Sequence, residues 1–112
     1  MAMRTETLGE FEQSIMLAIL HLEDGAYGVT IRREMERRLE REIVVGALYT
    51  TLERLERKGY VRSAMSAPTP ERGGRAKRLF TIRAAGVSAL RDSRERHDRM
   101  WHGLSASLKR MS

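Results

Sequence analysis

Few side chains in this 112-residue chain have the types and spacing for bond-making chemistry. There is no cysteine, so a thiol nucleophile, a disulfide framework and a thiolate zinc site are excluded. The three histidines, His21, His97 and His102, match no zinc-ligand spacing. No Ser-His-Asp order, glycine-rich phosphate loop or paired-carboxylate cleft is recognisable. The expectation is no enzyme, no metal and no cofactor. What remains is cationic: 21 Lys and Arg against 15 Asp and Glu. They are unevenly placed. Residues 1–31 carry one Arg against five acids, and residues 32–53 carry five bases against five acids. Residues 54–83 carry nine bases against two acids, and the remainder six against three. One thirty-residue basic block is the footprint of a polyanion partner; a solvated basic surface is the alternative.

The elements that would position this block follow from periodicity. The length fits one domain, and 41% hydrophobic residues suffice for a small core. A domain this small often gains core by oligomerising. The longest apolar run, residues 15–20, is too short for a membrane span and follows Glu6, Glu10 and Glu12 rather than a basic flank. A soluble cytoplasmic protein is expected. Leu8, Phe11, Ile15, Ala18, Ile19 and Leu22 recur at helical spacing, giving a first helix over 8–22. Ile31, Met35 and Leu39 form the thin apolar stripe of a second, over about 28–41. Leu48, Leu52 and Leu55 define a third over 46–58, closed by Gly59. Residues 60–65 and 78–82 alternate at period two around a Pro/Gly loop, which reads as a hairpin with Val61 and Met65 on one face of its first strand and Phe80 and Ile82 together on its second. From Ala84 to about Met111 a single helix is expected. Its positions Val87, Leu90, Arg94, His97, Trp101, Leu104, Leu108 and Met111 alternate three and four apart, a heptad seam interrupted by Arg94 and His97.

The fold class is therefore mainly α with a small β-hairpin. Residues 1–83 form a winged helix-turn-helix, and residues 84–112 form a long dimerisation helix, packed together as one compact domain. In a helix-turn-helix the second helix of the motif presents its N-terminal residues to base edges. Here that is the third helix, and the basic block runs from within it through the wing. The partner expected is double-stranded DNA.

The same residues carry a family resemblance. The stretches Tyr27-Gly28-Val29-Thr30-Ile31, 45–61 (Val-Gly-Ala-Leu-Tyr-Thr-Thr-Leu-Glu-Arg-Leu-Glu-Arg-Lys-Gly-Tyr-Val) and 72–82 (Arg-Gly-Gly-Arg-Ala-Lys-Arg-Leu-Phe-Thr-Ile), followed by Gly86 and Leu90, resemble a PadR-type transcriptional regulator of the short subclass with one C-terminal helix. The resemblance covers nearly the whole chain from Leu8. It departs at Thr50, often proline in that family, and at Arg83, usually threonine. Losing a threonine N-cap costs about 1 kcal/mol. The resemblance implies a dimeric bacterial repressor whose C-terminal helix packs against the partner chain and which is often released by a small aromatic or drug-like effector. The reading adopted is a homodimeric repressor on a pseudopalindromic operator.

The candidate DNA-binding residues are Gly46, Ala47, Tyr49, Thr50, Arg54, Arg72, Arg75, Lys77 and Arg78. Tyr49 lies off the 48–52–55 stripe, and the resemblance implies that it reaches the DNA backbone; a tyrosine packed in the core is the alternative. Arg54 serves a phosphate or pairs with a surface acid. Gly46 permits close approach or is a plain turn glycine. The four wing bases suit phosphates or the minor groove, against a solvated loop. Val87, Leu90, Trp101, Leu104 and Leu108 are the dimerisation residues. Trp101 either anchors that interface or stacks a planar effector, with Arg94 and His97 recognising its polar edge. The readings from other classes are a sequence-nonspecific DNA-binding protein and a winged-helix protein-interaction module.

Overall fold

In the computed structural model, which describes residues 8–68 and 74–112, five helices and one hairpin follow each other along the chain. They are α1 (Glu10–Leu22), α2 (Gly28–Leu39), α3 (Val45–Arg57), β1 (Val61–Met65), β2 (Arg78–Ile82), α4 (Ala84–Trp101) and α5 (Ser105–Met111), with a 3-10 turn (Glu23–Gly25) between the first two. The fold is the expected one, mainly helical with a two-stranded antiparallel hairpin.

Local chemistry sets the helix starts. The Gly9 N–H donates to Glu12 Oε1 at 3.0 Å, so a carboxylate in the first turn of α1 satisfies an otherwise orphaned donor. At α2 the same job falls to Thr30. Its hydroxyl accepts from the Tyr27 N–H at 3.0 Å and donates to the Gly25 carbonyl at 2.6 Å. Helix α2 stops at Leu39, two residues short of the expected end, because Glu40 turns left-handed at φ 53°. Gly59, at φ 82°, closes α3 as expected.

The core is built from one stripe of each helix. Ile15, Met16 and Ile19 of α1 meet Ile31 and Met35 of α2 and Leu48, Leu52 and Leu55 of α3, all fully buried. Val61 and Phe80 close it from the hairpin, and Ala26 and Ile43 from the connections. The hairpin pairs Val61 with Ile82, Ser63 with Phe80 and Met65 with Arg78. It is tied back to the helices by the Phe80 N–H, which donates to the Ala26 carbonyl at 2.8 Å. Met65, expected on the inner face beside Val61, is exposed instead. It pairs at the far end of the hairpin, away from the buried Val61 end.

The C-terminal region corrects the expectation of one unbroken helix. α4 ends at Trp101, and Gly103 takes φ 82° before α5 begins at Ser105. Glycine past a helix end adopts that conformation without the Cβ penalty, so a residue that only weakens a continuous helix ends this one. At its other end α4 is seated by Gly86: a Cβ there would lie 2.3 Å from the Tyr60 carbonyl oxygen. The Arg83 N–H donates to that same carbonyl at 2.9 Å, so α4 starts at Ala84 without a side-chain cap. Beyond Ser93 no residue of α4 or α5 is buried, and Met100, Trp101, Leu104, Leu108 and Met111 face outward.

Candidate nucleic-acid interface

The two helices of the helix-turn-helix meet the wing at the N-terminus of α2. Tyr49, on α3, lays its hydroxyl against Gly28, where a Cβ would lie 1.8 Å from the oxygen. Only glycine leaves room for that ring. Tyr49 remains 46% exposed, so it is a surface residue seated on the first turn of α2, not a core tyrosine. Next to Gly28, the ring of Tyr27 carries the Lys77 ammonium 4.6 Å from its centroid. This cation–π contact brings the base of the wing to the same place. Gly28, Arg32, Val45 and Tyr49 line a recess beside it. Three elements distant in sequence thus converge on one surface holding two tyrosines and a lysine.

The predicted DNA-binding residues separate into groups. Gly46, Ala47 and Thr50 lie exposed on α3 near Tyr49, and Arg75 and Lys77 lie exposed at the wing. Arg72 lies outside the described residues. Arg78 and Arg54 have partners within the chain. Arg78 donates to Glu56 at 2.9 Å and to Ser63 Oγ at 2.8 Å, bracing the hairpin on α3. Arg54 donates to Glu12 Oε2 at 3.2 Å, and Lys58 reaches the same oxygen at 3.0 Å.

Glu12 is the feature that sequence reasoning missed. Its side chain is only 8% exposed, and it joins the first turn of α1 to the last turns of α3. Burial works to raise its pKa, but hydrogen bonds from the Gly9 amide, Lys58 and Arg54 outweigh it and hold the carboxyl below its ordinary value. The bridge fixes α3 on α1. No local pattern announces a contact between residues 42 and 46 positions apart.

A second missed feature is the outer face of α1. Leu17 and Leu20 are 46% and 47% exposed, off the stripe that faces the core. With Val87 and Leu90 of α4 they line an apolar groove of about 350 Å³, edged by Arg91, Arg94 and Glu95. The signal was available: from Ile15 to Leu22 every residue but His21 is apolar, and such a stretch needs partners on more than one side. Of the candidate effector residues, Arg94 edges this groove and pairs with Asp98 at 3.6 Å. His97 and Trp101 stack obliquely, with centroids 6.4 Å apart. Val87 and Leu90 are half-buried in the groove, whereas Trp101, Leu104 and Leu108 stand exposed beyond it.

Among the described residues no group of three or more His, Cys, Asp or Glu could hold a metal ion, and no helix is long and apolar enough to cross a membrane. The three-helix core, the wing and the surface between them define a winged helix-turn-helix regulator. The model of the transcriptional regulator PadR-like family matches residues 16–92, and the chain belongs to that family. Its members regulate transcription by binding DNA. The chain is similar in structure to a PadR-like regulator from Bacillus cereus, with 17% identity, a TM-score of 0.66 and coverage of 90% of this chain and 89% of that one. It is also similar to RosR of H. salinarum, with 23% identity, a TM-score of 0.66 and coverage of 93% and 86%. A Streptococcus transcriptional regulator gives 20% identity, a TM-score of 0.69 and coverage of 86% and 89%. These likenesses concern the fold. No curated protein matches the chain.

Proposed function

We propose that the chain is a homodimeric transcriptional repressor that binds a pseudopalindromic operator and is released by a planar aromatic effector. The observation that carries the DNA reading is the convergence of Tyr49, Tyr27 and Lys77 at the start of α2. Tyr49 offers a hydroxyl to a phosphate there. The first-turn amides of α2 favour an anion at the same point. Gly46, Ala47 and Thr50 face the major groove, while Arg75, Lys77 and Arg72 follow the backbone or the minor groove beside it. Arg54 and Arg78 act mainly from behind, holding α3 and the wing in register through Glu12 and Glu56.

Dimerisation is supported by the apolar surface that one chain leaves uncovered. Leu17 and Leu20 on α1, with Trp101, Leu104 and Leu108 at the other end, are too many exposed large residues for one small monomer. A two-fold arrangement would cover the groove of each chain with the C-terminal region of the other. Val87 and Leu90 would then line the buried centre. Two Trp101 rings, one per subunit, would flank a planar ligand, with Arg94 and His97 at its polar edge. Such a ligand releases DNA by favouring the dimer arrangement whose recognition helices are wrongly spaced.

A footprint on the chain's own upstream DNA tests this reading. Protection of two half-sites about one helical turn apart is expected. Uniform protection without a defined site favours a sequence-nonspecific binder. No protection at any concentration favours a protein-interaction module. The basic wing speaks against that last reading, because a module serving only protein contacts has no use for Arg75 and Lys77 on an exposed loop.

A further inference from the structure

We infer that the start of α3 reads thymine by its C5-methyl group, through Val44 and Val45; this rests on the DNA-binding reading above. Val44 is 70% exposed and Val45 43% exposed. Neither belongs to the core, whose inward positions here are taken by Ile43 and Leu48. Nor does the helix itself favour them. Val44 occupies the N-cap position in extended conformation, and its side chain makes no capping hydrogen bond. Ser, Thr, Asp or Asn at that position would satisfy a first-turn amide, so an apolar β-branched pair sacrifices local stability. A pair of residues chosen by neither packing nor helix chemistry points to a surface outside the chain.

The neighbouring side chains narrow what that surface is. Gly46 and Ala47 carry no hydrogen-bonding side chain. Tyr49 is seated on Gly28, and Arg54 is held by Glu12. Thr50 is the one hydroxyl left facing out in the first two turns. Helix α3 therefore offers no Arg, Lys, Asn or Gln there for bidentate contact with guanine or adenine. The base-edge feature that an aliphatic side chain complements in the major groove is the methyl of thymine. A polar edge of guanine or cytosine opposite the valines would be desolvated without a partner, so the pair also rejects those bases. Val45 shares its recess with Gly28, Arg32 and Tyr49, so the reading residues lie directly beside the backbone anchor.

The test uses the duplex that the protein enriches from a randomised library. Its affinity is measured by fluorescence anisotropy with each thymine replaced, one at a time, by deoxyuridine, which deletes only the methyl. A buried methyl corresponds to about fourfold in affinity, and to about sixteenfold when both half-sites lose one. One or two positions per half-site should show that loss. The loss should disappear in the double variant Val44→Ala, Val45→Ala, whose circular dichroism should match wild type because both side chains are exposed. Val45→Thr, nearly the same shape with one methyl replaced by hydroxyl, should weaken the discrimination partly. If no thymine matters by more than about twofold, or if the double variant keeps the same sensitive positions, the valine readout is wrong. Failure to bind any duplex would overturn the DNA reading itself, an outcome clearly different from binding that ignores the methyls.

Discussion

Replacing Gly46 by alanine should make the protein more stable and a poorer DNA binder. Gly46 is the second residue of α3, its φ lies outside the left-handed region, and a Cβ built on it meets nothing within 4 Å. Neither backbone nor packing requires glycine there. Alanine inside a helix is favoured over glycine by roughly 0.5–1 kcal/mol, and a first-turn position takes the lower end. For a chain of this size that is a rise of about 2 °C in Tm. On the account above, DNA approaches the bare backbone at this point. A methyl group placed in that contact should cost about tenfold in affinity, or about 1.4 kcal/mol. Differential scanning fluorimetry and anisotropy titration on one preparation read both effects. If Gly46→Ala binds DNA as tightly as wild type, α3 does not approach the duplex at its start. If its Tm falls, the glycine serves the fold and the reasoning fails at its first step.

The buried bridge should respond differently. Glu12→Gln keeps an acceptor for the Gly9 amide but removes the charge facing Arg54 and Lys58. It should lose about 2 kcal/mol in urea denaturation at neutral pH, since both cations remain partly solvated. Because the folded carboxyl titrates below its ordinary value of 4.5, this advantage is full above that pH and fades as pH falls below it. A difference between wild type and Glu12→Gln that persists undiminished in acid would contradict the bridge. Leu104→Lys should give monomers or insoluble protein by light scattering, and a folded wild-type monomer at micromolar concentration would refute the dimer. Planar cationic or phenolic aromatics should quench the single tryptophan saturably, with DNA release. If Trp101→Ala represses normally and still responds to the inducer, the effector site lies elsewhere.

The parts of this fold that sequence revealed are those written in short-range periodicity. The Leu48, Leu52 and Leu55 stripe is fully buried, and the hairpin spans the expected residues. The parts it hid depend on long-range meetings or on one backbone angle. Tyr49 could be placed off the core stripe from helical geometry, but its seat on Gly28 could not. Lys77 over Tyr27 joins residues that no motif connects. Arg54 read equally well as a phosphate ligand or a surface pair until its acid was found on another helix. The break at Gly103 was invisible because the heptad spacing runs straight through it, and only the backbone decides between a weakened helix and an ended one. Val44 and Val45 lie between two periodic stripes, so helical spacing gives them no role. An outward β-branched pair at a helix start was the clue.

On the proposed function, the wing and the start of α3 lie together on DNA. The measurement that tests it most directly is the salt dependence of DNA affinity for wild type and for Arg75→Ala combined with Lys77→Ala. Each phosphate contact releases condensed counterions, so the logarithm of the association constant should fall steeply and linearly with the logarithm of salt concentration. The homodimer loses two contacts per subunit, four in all, so the slope should flatten by about four. An unchanged slope in the double variant would remove the wing from the interface and contradict the account.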